Sequence, residues 1–240
     1  IYFSSLMTFN KIFAQSPDDL ERIKKLTDMN IQFIGNLKLS KSKVNKISIK
    51  TKNNLSIMIA SSHENEEIMI IESLKEIIKK NKIKLLIAPR HPNRAVKILK
   101  VCRKYNYISC LDSKITNQNY EVVIIDSFGK LEKYFEKSDI VILGGSFVKK
   151  GGHNPLEPAS HGCVIISGSH VYNWQHIFNE MSKEKACILV KDLKELNVKI
   201  SDLIYGKPIV EKYKKKALDF SNKNFFDNNA LFNEIDTVLE

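Results

Sequence analysis

The sequence has few cysteines and no long apolar run, and each shortage excludes a class of protein. Its four cysteines, Cys102, Cys110, Cys163 and Cys187, lie far apart and form no C-x-x-C pair. This spacing argues against a zinc site and against a disulfide framework, and it fits a reducing compartment. No apolar segment approaches the roughly 18 residues that a membrane-spanning helix needs, and no signal peptide is recognisable.

Arginine is also scarce, although the chain is strongly basic. Only four of the 38 basic residues are arginines, against 27 acidic residues, and the formal net charge is +11. No basic motif or aromatic platform accompanies this charge, so a solvated lysine surface is favoured about two to one over nucleic-acid binding. Attraction to an anionic membrane surface is compatible with the same charge.

Short β-branched apolar segments alternate with longer amphipathic segments along most of the chain. Strands are predicted over 12–14, 31–34, 55–60, 84–88, 107–110, 122–125, 140–143, 164–167 and 187–190. Helices are predicted from Ser16-Pro17 onward, over 64–80, 94–105, 130–137, 154–161 and 173–183, and twice in the tail 208–240. Nearly all-apolar strands that alternate with helices are typical of a doubly wound parallel α/β sheet.

The segment 40–54 is rich in lysine and serine and has little periodicity. It predicts an interdomain linker with one edge strand over 46–50, and it divides the chain into residues 1–39 and 55–240. A chain of 240 residues is longer than one domain of about 150 residues. Because the sequence begins with Ile1 rather than methionine, we expect a fragment of a larger protein.

Seven of the nine glycines fall between Gly129 and Gly168. Gly144-Gly145-Ser146 closes the strand predicted over 140–143, and Gly151-Gly152 precedes the next predicted helix. Glycines allow close backbone approach and positive φ, and a glycine loop before a helix leaves amides free for an anion. Phosphate binding is therefore favoured about three to one over a tight turn with an ordinary cap.

The residues that open this helix have two interpretations. Asn154 fits the N-cap position, Pro155 the first helical position and Glu157 the third, which would complete a capping box. The Glu157 carboxylate could instead accept hydrogen bonds from a ribose diol. The residue pattern favours neither role over the other.

Polar side chains follow three other predicted strands. Pro89-Arg90-His91-Pro92 is a stiff loop in which an arginine is used in place of lysine, which favours a phosphate or carboxylate ligand over an ion pair with a nearby acid. Ser61-Ser62-His63 ends the strand over 55–60, and the glutamates at 64, 66 and 67 suit the first turn of a helix. Asp126-Ser127-Phe128-Gly129 ends another strand, and the six histidines lack the paired spacing of a metal site.

These segments, taken together, closely resemble the 3-deoxy-D-manno-octulosonic acid (Kdo) transferase family. The matching segments are Ala14-Gln15-Ser16, Gly35-Asn36-Leu37-Lys38, Ala60-Ser61-Ser62-His63-Glu64, Pro89-Arg90-His91-Pro92, Asp126-Ser127-Phe128-Gly129 and the run from Gly144 to Ala159 that contains Asn154-Pro155-Leu156-Glu157. The resemblance implies the GT-B architecture, in which two Rossmann-like domains face each other across a cleft. It also implies transfer of Kdo from CMP-Kdo to a lipid A precursor at the cytoplasmic face of the bacterial inner membrane.

The resemblance also implies roles for individual residues. CMP would contact Pro89, Arg90, Phe128, Gly129, Lys130, Asn154, Pro155, Leu156 and Glu157, with Ser61, Ser62, His63, Gly144, Gly145, Ser146, Gly151 and Gly152 as additional donor-site residues. Lys130 stands where the family usually has glutamate. The family's catalytic base is a glutamate that we expect upstream of Ile1, so no residue of this chain receives that role.

The domain assignment follows from the same resemblance. Residues 1–39 are expected to be the trailing part of the acceptor domain, and residues 55–240 a Rossmann-like donor domain with a helical tail. CMP-Kdo, a lipid A precursor and an anionic membrane surface are the expected partners, and no metal, cofactor or nucleic acid is expected. The alternative is a nucleotide- or nucleic-acid-binding module without transferase activity.

Overall fold

The computed structural model describes residues 8–15, 17–33 and 55–223, together with residues 232 and 236. The predicted linker over 40–54, its edge strand and most of the tail beyond residue 223 lie outside the described residues. The chain divides into two compact units; the described residues 8–33 belong to the smaller one and residues 55–222 to the larger one.

The smaller unit contains a β–α–β segment. Strand β1 (Ile12–Ala14) is followed by helix α1 (Pro17–Lys24) and strand β2 (Ile31–Phe33). The two strands are parallel, and Ile12 lies opposite Ile31. A parallel pair needs a crossover connection, which α1 supplies, so the elements predicted here are confirmed. The assignment of this unit to an acceptor domain stays a prediction.

The larger unit is built on one seven-stranded sheet in which every neighbouring pair is parallel. Its strands are β3 (Ser56–Ser62), β4 (Lys84–Pro89), β5 (Ser109–Leu111), β6 (Val122–Ile124), β7 (Ile140–Leu143), β8 (Val164–Ser167) and β9 (Ile188–Leu189). Their order across the sheet is β5-β6-β4-β3-β7-β8-β9. The predicted doubly wound α/β fold is thereby confirmed.

Helices alternate with these strands along the chain. They are α2 (Glu66–Lys80), α3 (Ala95–Lys104), α4 (Leu131–Phe135), α5 (Leu156–Ser160), α6 (Gln175–Lys183), α7 (Leu193–Tyr205) and α8 (Lys207–Lys223). Within the described ranges, none of the helices is both long and apolar enough to cross a membrane.

Helix α7 is absent from the sequence-based assignment, and its signals can be identified in retrospect. The Asp192 side chain accepts a hydrogen bond from the amide of Glu195 at 2.8 Å, as an N-cap does. Leu196, Ile200 and Leu203 then recur at helical spacing and are buried.

The strand order places a topological switch point between β3 and β7. The chain runs from β3 to β4 on one side of β3 and later returns to β7 on its other side. In open parallel sheets, ligands bind at such a point, outside the carboxyl ends of the strands. The loops after β3, β4 and β7 are therefore the loops that build the candidate site.

A buried ion pair lies at the other end of β3 and β7, where these strands begin. The Lys214 ammonium of α8 lies 2.7 Å from the Asp139 carboxylate, and both side chains are about 5% exposed or less. Asp139 also accepts hydrogen bonds from the amide and hydroxyl of Ser56, at 2.8 and 2.9 Å. This group joins α8 to the amino ends of β3 and β7.

Lys214→Ala is expected to lower the free energy of unfolding by about 3–5 kcal/mol, because it leaves the buried Asp139 carboxylate without its cation. Urea unfolding of the chain measures this change. Lys216→Ala, an exposed lysine of the same helix, is the matched control and should change the free energy of unfolding by less than about 0.5 kcal/mol. Equal unfolding midpoints for the two variants would contradict the assignment.

Candidate functional site

The loops after β3 and β7 are in direct backbone contact. Ser61 has a positive φ of 57°, and the pairing of β3 with β4 shifts register between Ala60 and Ser62. A Cβ added to Gly144 would lie 2.5 Å from the Ser61 carbonyl oxygen. Only glycine permits this approach, so Gly144 brings the two loops together.

The carboxylate of Glu66 joins the same two loops. Its side chain is fully buried. One carboxylate oxygen accepts from the amides of His63 and Gly145, at 3.0 and 2.7 Å. The other oxygen accepts from the amides of Ser146 and Phe147, at 3.1 and 3.0 Å. The residue expected only to open a helix is thus the anion that the first glycine loop binds.

This pairing corrects the sequence-based expectation for the glycine loop. The amides of Gly145, Ser146 and Phe147 already bind a carboxylate, so they are not free to bind a phosphate. The Ser146 hydroxyl is likewise used inside the fold, donating to the Leu143 carbonyl at 2.6 Å and accepting from the Gly168 amide at 2.8 Å. The loop over 144–147 therefore has a structural role, in which it connects β7 to the start of α2 and to Gly168.

The second glycine pair folds back onto the first. The Gly152 amide donates to the Gly145 carbonyl at 3.0 Å, and both Gly151 and Gly152 have positive φ. A Cβ on Gly151 would lie 2.3 Å from the amide nitrogen of the Asn173 side chain. This close packing fixes the start of the segment that carries His153 and the residues after it.

His63 and His153 form a stacked pair at the site. Their Nε2 atoms are 3.1 Å apart, and the ring centroids are 5.3 Å apart with an interplanar angle of 8°. Burial, followed by the neighbouring His63 and Arg90, lowers the pKa of His153 to about 4. Burial and the nearby Lys150 ammonium lower the pKa of His63. The sequence pattern indicates His63 but not its partner, because the two histidines lie 90 residues apart in the chain.

Arg90 and Arg94, which lie close together in the sequence, have different environments. The Arg94 guanidinium donates to both oxygens of the fully buried Glu67 carboxylate, at 2.6 and 3.1 Å. The Arg90 amide donates to the Ser62 carbonyl at 2.9 Å, and its side chain is exposed. The Arg90 guanidinium makes no hydrogen bond or ion pair with any residue that the structure describes. Arg90 is therefore the arginine available to a ligand.

The Ser62 side chain lies inside the fold. Its hydroxyl is buried and has no hydrogen-bond partner among the described residues. The contribution of Ser62 is its carbonyl, which holds the backbone of Arg90.

The residues that open α5 form half of the predicted cap. The Asn154 side-chain oxygen accepts from the Leu156 amide at 3.0 Å, as an N-cap does. The Glu157 carboxylate accepts from the Asn154 side-chain amide at 3.4 Å, rather than from a backbone amide as a capping box requires. Helix α5 has only five residues, so its dipole contributes little. Glu157 is half-buried and retains acceptor capacity for a ligand.

In the loop after β6, the Phe128 side chain is exposed and the Lys130 side chain is hydrogen-bonded. The Phe128 ring is 73% exposed, and Gly129 turns the chain with a φ of 78°. The Lys130 ammonium donates to the Asp112 carboxylate, which also accepts from the Tyr134 hydroxyl. The hydrogen bond to Asp112 raises the pKa of Lys130. Lys130 is thus paired within the fold.

Across the described residues, no three His, Cys, Asp or Glu side chains are grouped so as to hold a metal ion. The site consists instead of one free guanidinium, a neutral pair of imidazoles, a carboxylate and an exposed aromatic ring. Such a set can bind an anion through Arg90 and hydroxyl donors through Glu157.

Lowering the pH from 7 to 5 should destabilise the fold partly through the histidine pair. The unfolded chain protonates histidine near pH 6.5, whereas the folded His153 resists protonation until about pH 4. This contribution is present above pH 6.5 and is lost as the pH falls toward 4. In His153→Asn, the loss of unfolding free energy between pH 7 and 5 should shrink by about 1 kcal/mol. Urea unfolding at both pH values checks this, with the exposed His176→Asn as control; an equal pH dependence in both variants would contradict it.

Comparison with known proteins supports a relationship to one family. No protein-family model matches the chain. It is 31% identical over 231 residues to the 3-deoxy-D-manno-octulosonic acid transferase of Rickettsia felis, a match that covers 91% of this chain and 50% of that protein. The transferase of Aquifex aeolicus is 30% identical over 197 residues, 82% of this chain and 54% of that protein. The chain thus spans about half the length of the curated relatives it matches.

A solved structure agrees with these relatives. The C-terminal CMP-Kdo binding domain of WaaA from Acinetobacter baumannii matches with a TM-score of 0.64 and 28% identity, over 70% of this chain and 90% of that domain. Sequence and structure therefore confirm the resemblance that the motifs indicated. The chain is a homologue of the 3-deoxy-D-manno-octulosonic acid transferases.

Proposed function

We propose that this chain is the CMP-Kdo-binding part of a Kdo transferase. Relatives with that name and a solved domain named for CMP-Kdo binding support the proposal. The observation that carries it is the free Arg90 guanidinium at the carboxyl-end edge, on the side of the switch point opposite Glu157. A cationic fork and a carboxylate with spare acceptor capacity suit the phosphate and the ribose of one nucleotide.

Side chains hold the phosphate in this proposal. The Glu66 carboxylate occupies the amides of the glycine loop, so the CMP phosphate is bound by the planar fork of Arg90. Arg90 and Lys150 lie near enough to the histidine pair to lower its pKa. They give this part of the site the positive potential that a phosphate requires.

The ribose and the base are placed on either side of this phosphate position. Glu157 accepts hydrogen bonds from the ribose hydroxyls, and the exposed Phe128 ring stacks on the cytosine. Pro89, Gly129 and the segment 154–156 supply backbone that shapes the pocket. Lys130 is paired with Asp112, and the proposal assigns its ammonium no role in holding the phosphate.

For the whole transferase, the proposed reaction is a displacement at the anomeric carbon of Kdo. The acceptor hydroxyl oxygen forms the new bond, and the bond from the anomeric carbon to the phosphate oxygen breaks, so that CMP leaves with the electron pair. Arg90 stabilises the charge that develops on the phosphate. The hydroxyl proton passes to a base, and we assign none of the described residues that role.

A lipid A precursor is the proposed acceptor, and the cytoplasmic face of the bacterial inner membrane is the proposed location. The excess of lysine, which gives the chain its net charge of +11, supports this location because it attracts the chain to anionic lipid. No separate observation favours the alternative of a module without transferase activity.

Arg90→Ala is expected to weaken CMP binding well beyond tenfold, or more than about 1.4 kcal/mol, because it removes the bidentate phosphate ligand. Isothermal titration calorimetry of the 240-residue chain with CMP measures this loss. Arg90→Lys keeps the charge without the fork and should recover only part of the affinity. Arg103→Ala, an exposed arginine on α3, is the matched control and should bind as the unmodified chain does.

Two outcomes would overturn this prediction. One is an unchanged CMP affinity in Arg90→Ala. The other is a chain that ignores CMP but binds single-stranded RNA with a steep salt dependence, which would favour the nucleic-acid alternative.

Glu157→Gln should weaken CMP binding at least about tenfold and should do so through the ribose. The unmodified chain is expected to prefer CMP over 2′-deoxy-CMP, and the variant should lose most of that preference. Titration of both nucleotides into both proteins checks this, with the exposed Glu136→Gln as control. Equal binding of the two nucleotides to the unmodified chain would show that Glu157 does not bind the 2′-hydroxyl.

A further inference from the structure

Two adjacent carboxylates at the start of α2 are both fully buried. Glu66 and Glu67 each have 0% exposure, although acidic side chains are almost never fully buried unless they are paired. Their partners lie on opposite sides of β3. Glu66 binds the amides of the loop after β7, and Glu67 binds Arg94 in the loop after β4.

We propose that Glu66 and Glu67 are positioning residues that together fix the distance between the two halves of the donor site. Arg90 belongs to the loop after β4, and His153 and Glu157 follow the loop after β7. In the first turn of α2, Glu66 therefore holds the ribose-binding half and Glu67 holds the phosphate-binding half. This inference rests on the proposed function, since it concerns the binding of CMP.

On the β7 side, the coupling runs through a series of hydrogen bonds. Glu66 holds the amide of Gly145, and the carbonyl of Gly145 accepts from the Gly152 amide at 3.0 Å. Gly152 directly precedes His153. The Nε2 contact between His153 and His63 then returns to the loop that Glu66 also holds. Loss of the carboxylate would therefore release the loop after β3 and the loop after β7 together.

On the β4 side, the coupling runs through the bidentate ion pair. Arg94 ends the short turn Pro92–Arg94 that follows the Arg90 loop, and its amide donates to the His91 carbonyl at 3.1 Å. The Glu67 carboxylate fixes the Arg94 guanidinium in one plane. The backbone of Arg90 is thus held at one end by the Ser62 carbonyl and, beyond His91, by this pair.

Neither glutamate is available to touch CMP. Both are inaccessible to solvent, and each of the two Glu66 oxygens already accepts two amide hydrogens. Glutamine has the same shape but only one acceptor oxygen, and its amino group would face two amides that also donate. Glu66→Gln therefore removes one of the two acceptor oxygens without changing the volume of the core.

The test compares Glu66→Gln with Glu64→Gln. Glu64 lies in the same region but is exposed and pairs with Lys97 on the surface. Titration calorimetry with CMP gives two independent readouts, the dissociation constant and the fraction of protein that binds. We expect Glu66→Gln to raise the dissociation constant at least about tenfold with the binding fraction unchanged, and Glu64→Gln to match the unmodified chain.

Amide hydrogen exchange on the ligand-free chain supplies a readout that does not depend on CMP. Glu66→Gln should speed amide exchange at residues 145–147, whereas Glu67→Gln should speed amide exchange over 90–94. Glu67→Gln also keeps the proposal testable if Glu66→Gln fails to fold, because glutamine still offers Arg94 one acceptor. Its dissociation constant for CMP should likewise rise at full binding fraction.

A purely structural role would lower the binding fraction or the unfolding midpoint and leave the dissociation constant unchanged, and that result would overturn the proposal. If the unmodified chain does not bind CMP, the proposed function fails and the exchange measurement decides this inference. Exchange at 145–147 that is equal in Glu66→Gln and in the unmodified chain would then overturn it.

Discussion

The candidate site depends on one buried carboxylate. Glu66 accepts hydrogen bonds from four backbone amides that would otherwise be left unpaired inside the protein. An unpaired buried amide costs about as much free energy as a lost hydrogen bond. Because the carboxylate reaches the loops after β3 and β7 at once, the switch point of the sheet has a fixed shape before any ligand arrives. Arg90 and Glu157 lie on loops next to this centre, in which the Glu66 carboxylate and the loop amides are already hydrogen-bonded to each other.

The fold could be predicted from the sequence to a large extent because its strands are buried on both faces. The segment 140–143 is a continuous apolar run, and 164–167 is apolar up to Ser167; the predicted bounds of both agree with β7 and β8. The capping hydrogen bond of Asn154 could also be predicted, because its side chain accepts from the amide of Leu156, only two residues away. Features that depend on residues close together in the chain are the ones that a sequence pattern encodes.

The pairings that build the site could not be predicted, since they join residues far apart in the chain. Glu66 is 79 residues from Gly145, and His63 is 90 residues from His153. A glutamate in the first turn of a helix has an ordinary explanation in the helix dipole, and that explanation concealed its contact with the glycine loop. For the Glu157 carboxylate, the pattern at 154–157 favours neither a capping box nor a ribose contact. Among the described residues, this carboxylate accepts one hydrogen bond, from the Asn154 side-chain amide at 3.4 Å.

The two central strands are secured at both ends by buried carboxylates. Asp139 joins the amino ends of β3 and β7 to Lys214, and Glu66 joins the loops at their carboxyl ends. Strands β3 and β7 are thus fixed at both ends, so the binding proposed for this site requires no adjustment of the sheet. Any rearrangement that accompanies binding within this unit must be taken up by surface loops, such as the turn that bears the exposed Phe128.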